Sequence, residues 1–281
     1  MRRYCFSGHE SFQCKGLWLK KGYDFIKDGN RFSDEDAVAK LGVGKNMVAS
    51  IRYWLRVFGL TKQDDLTSVA SYLFDSENGF DPYAEDLNTL WLLHFLLVST
   101  NEASLYRLLF VDFKREKKDF SKSELQLYVK RKCSVREQRN TYNENTVRKD
   151  IGVLLKNYVS PIDLKKIEDF SALLIGLELI IGKDSDNYSF KSVKSKEVAP
   201  EVILFSLIRM KGNDHTVSFD MLQELCLIFG LTMVSLIGII RKLEVMFPST
   251  LVFSDNSGIK NVQFLWDINE LDALNHYYKA V

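Results

Sequence analysis

The chain has 281 residues, of which 46% are apolar, and its formal net charge is only +1. This composition supports folded cores, and the absence of an apolar run near the ~18 residues of a membrane span argues against an integral membrane protein. The first residues lack an apolar secretory leader, and the four cysteines form no CxxC pair. We therefore expect free thiols and a cytoplasmic protein, not a disulfide or zinc framework.

The small net charge hides alternating blocks of opposite sign. Residues 1–60 carry +5 and residues 105–159 carry +7, whereas residues 61–104 carry −7 and residues 160–281 carry −4. A surface for a nucleic-acid backbone can therefore be local. The alternative is that these charge runs are ordinary solvated faces.

The first unusual segment is FSGHESF, residues 6–12. His9 could act as a general base near neutral pH, and Glu10 could orient it or bind a metal. Three nearby cations could hold a phosphate: Arg2, Arg3 and Lys15. The alternative is a polar loop whose His9 and Glu10 cap a neighbouring helix.

A short helix, a glycine turn and a longer helix are predicted next. Ser33 and the acids after it predict a helix start, and the short helix ends in Gly42-Val43-Gly44. The second helix is predicted from Lys45 to Phe58, ended by Gly59. This order is the helix-turn-helix layout.

The second helix has two distinct faces at about 100° per residue. An apolar stripe should face the core: Met47, Ile51, Trp54, Leu55 and Phe58. The opposite face carries no acid and consists of Lys45, Ala49, Arg52 and Arg56, flanked by Asn46 and Tyr53. A major-groove helix needs such cations, an amide and a small residue, whereas an ordinary solvated helix usually mixes acids among its cations.

Between residues 61 and 104 the sequence is acidic and then strongly apolar. Seven carboxylates could supply a divalent metal site or form an acidic surface loop: Asp64, Asp65, Asp75, Glu77, Asp81, Glu85 and Asp86. Residues 87–99 are apolar on nearly every side and predict a buried central helix. His94 within it is predicted to be a core histidine.

The spacing of the first recognition helix returns one hundred residues later. The repeated apolar positions are Val147, Ile151, Leu154, Leu155 and Tyr158, and Arg148, Lys149 and Lys156 lie off this stripe. Asn145 is the predicted cap, and a basic helix over 120–132, capped by Ser121 or Ser123, precedes it. We predict a second winged-helix-like unit that offers phosphate contacts.

A third unit of the same kind is predicted near the C-terminus. Ser218 should cap a helix over 219–229, Gly230 should turn the chain, and a second helix should follow over about 232–245. Strands are predicted over 250–254 and 260–265 around a hairpin signal at 255–258. The outward positions are mostly Val234, Gly238 and Val245, with Arg241 alone basic, which favours packing or dimerisation.

Four sequence runs between residues 6 and 97 resemble the SspB-like family of bacterial DNA phosphorothioation systems: FSGHESF, WLKKGYD, DAVAKLGVGKNMVASIRYWLRVFGL and DPYAEDLNTLWLLHFLL. The resemblance implies an anti-phage defence system that contains a cysteine desulfurase, an ATPase and a sulfur transferase. It also implies that this component nicks one DNA strand so that sulfur can be incorporated. Gly8, His9 and Glu10 fall in the family's characteristic loop, and Lys15 stands where a cation is expected. His9, Glu10 and Lys15 are therefore the candidate catalytic residues.

Together these observations predict a mainly α protein of tandem winged-helix or helix-turn-helix units with short β-hairpin wings. The predicted domains are 1–104 (DNA binding and nicking), 105–160 (a basic unit) and 161–281 (packing or homodimerisation). The expected partner is duplex DNA, with Mg²⁺ or Mn²⁺ as a possible cofactor and no particular residues assigned to it. The residues themselves show no paired His-Asn-His or Asp…Glu-x-Lys nuclease pattern, so nicking rests on the resemblance. The alternatives are a non-catalytic DNA-binding adaptor and a transcription regulator.

Overall fold

The computed structural model of the chain describes residues 3–161, 171–256 and 259–280. Over these residues the protein is mainly helical with small antiparallel sheets, which confirms the predicted mainly α class. The chain divides into two compact units, Met1–Lys191 and Ser192–Val281. The predicted boundaries at 104 and 160 do not coincide with this division.

The described helices of the first unit alternate with short connections. They are α1 (Trp18–Lys27), α2 (Ala37–Leu41), α3 (Lys45–Val57), α4 (Ser68–Phe74), α5 (Leu87–Ser99), α6 (Ser104–Arg107), α7 (Lys114–Glu116), α8 (Lys122–Lys132) and α9 (Glu144–Tyr158). A π-helical stretch, Leu108–Phe113, joins α6 to α7. The predicted short helix, glycine turn and long helix are therefore present as α2 and α3.

Two small sheets belong to the first unit. The described strands of the first unit are β1 (Thr61–Lys62), β2 (Asp65–Leu66), β3 (Asp119–Ser121), β4 (Ile180–Gly182) and β5 (Asn187–Phe190). Strands β1 and β2 form a hairpin, and the other sheet has the order β3-β5-β4. Because Phe120 on β3 pairs with Tyr188 on β5, the segments before and after residue 160 share one sheet. This pairing explains why the predicted boundary at 160 does not separate compact units.

The second unit contains the helix, turn, helix and two strands predicted for it. Its elements are α10 (Pro200–Lys211), β6 (Thr216–Ser218), α11 (Phe219–Phe229), α12 (Met233–Met246), β7 (Leu251–Asn256), β8 (Ile259–Phe264) and α13 (Glu270–Tyr278). Its sheet has the order β6-β8-β7. Gly230 has a φ of 67°, which allows the turn between α11 and α12. The predicted hairpin turn includes residues 257–258, which lie outside the described residues.

Side-chain caps fix where several helices begin. Ser121 and Glu124 form a capping box at the start of α8, and Ser218 caps α11, both as predicted. The cap of α9 is Asn143 and not the predicted Asn145, because the Asn143 Oδ1 accepts the Thr146 N–H at 3.0 Å. Ser33 was also assigned wrongly, since α2 starts only after Asp36.

The core of the first unit is built around α5 and α9. Residues 89–98 are buried, as predicted for a central helix. His94 is fully buried, and its Nδ1 lies 2.7 Å from the Tyr158 hydroxyl, which confirms the predicted core histidine. The apolar stripe of α9 from Val147 to Tyr158 is buried as well. Hydrophobic burial along these two helices therefore fixes the orientation of α9 and leaves its other face exposed.

Among the described helices, none alone is both long and apolar enough to cross a membrane. The α11–α12 pair passes that test of length and composition only as a combination bent by 105°.

Candidate nucleic-acid interface

The exposed face of α3 is the first candidate surface. Gly42, with a φ of 61°, lets the chain turn between α2 and α3. Ile51, Trp54 and Leu55 form the buried side of α3. The side chains that the structure leaves exposed are Lys45, Asn46, Ala49, Arg52 and Arg56. Thus α3 has the basic, acid-free outer face predicted from its helical spacing.

Tyr53 differs from the sequence interpretation. It was expected to flank the outer face, yet it is only 6% exposed and lies beneath the loop that contains Gly8. The Arg56 guanidinium lies 5.8 Å from the centre of its ring. Burial, and then the negative charge of Asp150, raise the pKa of the Tyr53 phenol, which stays protonated at neutral pH.

A groove of about 770 Å³ runs beside the exposed face of α3. The cations that line it are Lys45, Arg52 and Arg56, and the acids Asp34 and Glu35 from the segment before α2 line it as well. Ala49 also lines the groove, and its place on α3 is one turn from Lys45 and one turn from Arg52. The small side chain leaves room for a ligand to approach the helix backbone.

Arg52 does not stand alone in this groove. Its Nε and Nη2 donate to the two carboxylate oxygens of Asp64, at 2.9 and 2.5 Å. Asp64 lies in the two-residue turn between β1 and β2, so the acid reaches the basic face from the hairpin and not from α3 itself. The helical pattern of residues 45–58 does not predict this pairing, and Asp64 was predicted only as one of seven candidate metal ligands in the acidic stretch 61–104.

The segment 6–12 packs between α3 and α9. The Ser11 backbone N–H donates to the Nδ1 of His9 at 3.0 Å, so the ring hydrogen is on Nε2, which donates to Asp150 Oδ1 at 2.9 Å. Asp150 Oδ2 accepts the Ser7 N–H at 2.8 Å. On the other side, Ser50 of α3 donates its hydroxyl to the His9 carbonyl oxygen at 3.1 Å. His9 thus joins the two helices that carry the candidate DNA contacts.

The backbone of this segment is held in uncommon conformations. Ser7, Glu10 and Ser11 have φ values of 75°, 48° and 66°, in the left-handed region that favours glycine. A β-carbon on Gly8, whose φ is +109°, would lie 2.6 Å from the Tyr53 ring. The loop therefore requires glycine at position 8, and its surroundings must stabilise the other three residues.

The three predicted catalytic side chains occupy different environments. His9 is 5% exposed and both its ring nitrogens are engaged, whereas Glu10 is exposed. The Lys15 ammonium lies 5.8 Å from the centre of the Trp18 ring, and its backbone bridges to Ala172. Their catalytic assignment stays a prediction. The hydrogen bonds of His9 correspond to a positioning role in the free protein.

Asp150 is the site residue that sequence reasoning missed. It is buried on α9 and accepts hydrogen bonds from Ser7 and His9, which are more than 140 positions away in the chain. A signal was present, because Asp150 adjoins the apolar stripe between Val147 and Ile151. A carboxylate at that position is buried and therefore needs a hydrogen-bond donor from another segment.

The remaining predicted DNA contacts lie along the same segment and on α9. Arg148 and Lys149 are exposed near the start of α9, and Arg148 Nη2 donates to Asn145 Oδ1 at 3.2 Å. Arg3 Nη2 donates to the Arg139 carbonyl oxygen at 3.0 Å. Arg2 lies outside the described residues.

Comparison with known proteins identifies the family to which this chain belongs. A family model described as a protein of unknown function, DUF4007, matches residues 6–278. The chain belongs to the DUF4007 family. The matched residues include the loop, α3 and α9, which form most of the candidate surface described above. No curated protein matches the chain.

Two solved structures have the same fold as this DUF4007 protein. A magnesium ion-bound SspB crystal structure has a TM-score of 0.85 and 25% identity, covering 98% of this chain and 88% of that one. A second SspB crystal structure has a TM-score of 0.86 and 24% identity over the same shares. The resemblance to SspB-like proteins is confirmed, and it extends well beyond residues 6–97, which contain the shared sequence motifs.

Among the described residues of this DUF4007 protein, no group of three or more His, Cys, Asp and Glu side chains is placed to hold a metal ion. The candidate acids have separate tasks. Asp81 accepts the Glu85 and Asp86 N–H groups at 3.0 Å, and Asp86 caps α5. Backbone N–H donation from Asn78 and the Lys27 ammonium lower the pKa of Asp75. The magnesium ion therefore remains a property of that SspB structure.

Proposed function

We propose that this protein is the DNA-binding component of a bacterial DNA phosphorothioation system and that α3 is its main contact with duplex DNA. The observation that carries the proposal is the outer face of α3, where Lys45, Arg52 and Arg56 line an open groove around Ala49. An α-helix fits the major groove, and cations with a small residue between them suit close approach to phosphates and base edges.

The buried loop supports a larger contact surface. The His9 ring is hydrogen-bonded to Asp150 of α9, and its carbonyl oxygen accepts a hydrogen bond from Ser50 of α3. One rigid segment therefore links the two helices. Arg148 and Lys149 at the exposed start of α9 then add phosphate contacts to those of α3. In this proposal the Gly8-His9-Glu10 loop sets the spacing between two DNA-contacting helices.

The order of elements supports a winged-helix interpretation of three segments. Helices α2 and α3 followed by β1 and β2, helices α8 and α9 with the β3-β5-β4 sheet, and helices α11 and α12 with the β6-β8-β7 sheet each give two helices and a small antiparallel sheet. We propose that the first two contact DNA and that the third packs or dimerises. Its exposed Val234 and Val245 support that division.

The enzymatic form of the proposal is single-strand nicking that opens DNA for sulfur incorporation, in a cytoplasmic system with a cysteine desulfurase, an ATPase and a sulfur transferase. Glu10 is the candidate in the loop whose side chain is exposed to a ligand. The rival function is a non-catalytic adaptor that brings the sulfur-transfer enzymes to DNA. The fully engaged ring of His9 favours that alternative.

Supercoiled plasmid separates the two forms. If the protein nicks, purified wild type with Mg²⁺ or Mn²⁺ should convert the plasmid to open circles, and Glu10→Gln should reduce the rate at least ~100-fold, as expected for a lost acid-base group. Glu10→Gln should retain duplex affinity, since the side chain is exposed and lies outside the basic face. Tight binding without open circles in either metal would leave the adaptor function, and the absence of duplex binding would refute both.

A further inference from the structure

The Arg52–Asp64 pair gives the basic face of α3 a property that isolated cations lack. Arg52 donates through Nε and Nη2 to both carboxylate oxygens, so the guanidinium plane is held in one orientation. A guanidinium has five N–H donors, and this contact uses two of them. The hydrogens that remain include one on each terminal nitrogen, directed away from Asp64 as a parallel pair.

The carboxylate is fixed by the hairpin that carries it. Gln63 and Asp64 form the two-residue connection between β1 and β2, and their φ values are 54° and 69°. Two-residue hairpins with both central residues at positive φ have a well-defined geometry. Lys62 pairs with Asp65 on either side of the turn, so the position of Asp64 above α3 is set by the backbone.

The pair also distinguishes between two DNA ligands. Arg52 and Asp64 together are neutral, so the pair gains little from counterion release, and the carboxylate repels a phosphate. Guanine presents two uncharged acceptors, N7 and O6, on its major-groove edge, and a pair of parallel N–H donors matches them. Among the described residues, Lys45 and Arg56 form no ion pair with a carboxylate like the Arg52–Asp64 pair. These two cations therefore suit phosphates instead.

We propose that Arg52, oriented by Asp64, reads a guanine in the major groove, and that Asp64 is the positioning residue for this recognition. The inference rests on the proposed function and deepens it. DNA binding by α3 is then sequence-selective at one base pair, while the surrounding cations bind any sequence.

Selection from a random-sequence duplex library tests the proposal. Wild type should prefer guanine over the other bases at one position by about 5- to 100-fold. Asp64→Asn should reduce that preference to less than about threefold. Its affinity averaged over the duplex library should be kept or raised, because a negative charge is lost. Since Arg52 is then free to contact a phosphate, the salt dependence should steepen by about one counterion.

Two further variants make the outcome specific. Arg52→Lys keeps the charge but loses the planar fork, so it should lose the guanine preference, and its affinity for guanine-containing duplexes should fall toward its affinity for other sequences. Asp65→Asn makes the same charge change one residue away and should leave the preference intact. A wild type without any guanine preference, equal weakening on all sequences by Asp64→Asn, or an equal effect of Asp65→Asn would overturn the inference. No duplex binding by wild type would overturn the proposed function as well.

Discussion

Asp150→Ala is expected to lower the free energy of unfolding by about 2–4 kcal/mol, because it leaves one buried and one part-buried hydrogen-bond donor without their acceptor. These are the Nε2–H of His9 and the backbone N–H of Ser7. The His9 ring cannot adapt by moving its hydrogen to Nδ1, because that nitrogen already accepts the Ser11 N–H. The loop should therefore detach from α9, and duplex affinity should fall with it.

Chemical denaturation and a double-mutant cycle measure this effect. His9→Ala and Asp150→Ala should be coupled by about 1–3 kcal/mol, since the two side chains form one buried contact. Lys149→Ala, an exposed neighbour on α9, should change stability by less than about 0.5 kcal/mol. If Asp150→Ala were as stable as Lys149→Ala, the loop would not be held by this carboxylate.

The charge reversal Lys45→Glu/Arg56→Glu should weaken duplex binding by about 100-fold near physiological salt. Both side chains are exposed on the proposed DNA face, so the change should not disturb the core. The slope of the logarithm of affinity against the logarithm of salt concentration should flatten by about two counterions. Fluorescence anisotropy with a labelled duplex over a series of salt concentrations measures both quantities.

The matched control is Lys242→Glu/Lys279→Glu, which reverses two exposed cations of the second compact unit. It changes the net charge by the same amount and should alter affinity far less. Equal losses in the two double variants would mean that only total charge matters, and that α3 has no special part in binding.

Local features of the fold were readily predicted from the sequence. Gly42 and Gly59 bracket α3, and periodic apolar residues define the buried side of α3 and α9, because helical spacing and glycine turns depend on neighbours in the chain. The helix-turn-helix and the paired strands of the second unit follow from the same signals. Exposure on α3 was predicted for the same reason, except at Tyr53.

The misassigned starts of α2 and α9 are local errors, whereas the missed features of the candidate site depend on contacts between distant segments. Tyr53 is buried because the Gly8 loop covers it, and Asp150 is matched to His9 across 141 positions. Asp64 reaches Arg52 only because the β1–β2 hairpin folds back over α3. Likewise β3 pairs with β5 from beyond residue 180, which moves the boundary between compact units. Periodicity along one helix cannot show which distant residue will meet it.

These contacts change the interpretation of the N-terminal motif. The chemistry of His9 and Glu10 and their place in the FSGHESF loop predicted that both are catalytic, yet the structure buries His9 and exposes Glu10. The histidine links α3 to α9 through hydrogen bonds at both ring nitrogens. We therefore expect substitutions of His9 to act mainly through stability and helix spacing, and substitutions of Glu10 to report on chemistry.

The central claim is that the exposed face of α3 is the surface that meets duplex DNA. Formaldehyde cross-linking of the wild-type protein to a duplex, followed by DNA digestion and peptide mass spectrometry, tests it without any substitution. The proposal predicts a cross-link at Lys45, in the groove beside Ala49 and Arg52. Cross-links found only outside residues 45–56, with duplex binding intact, would contradict it.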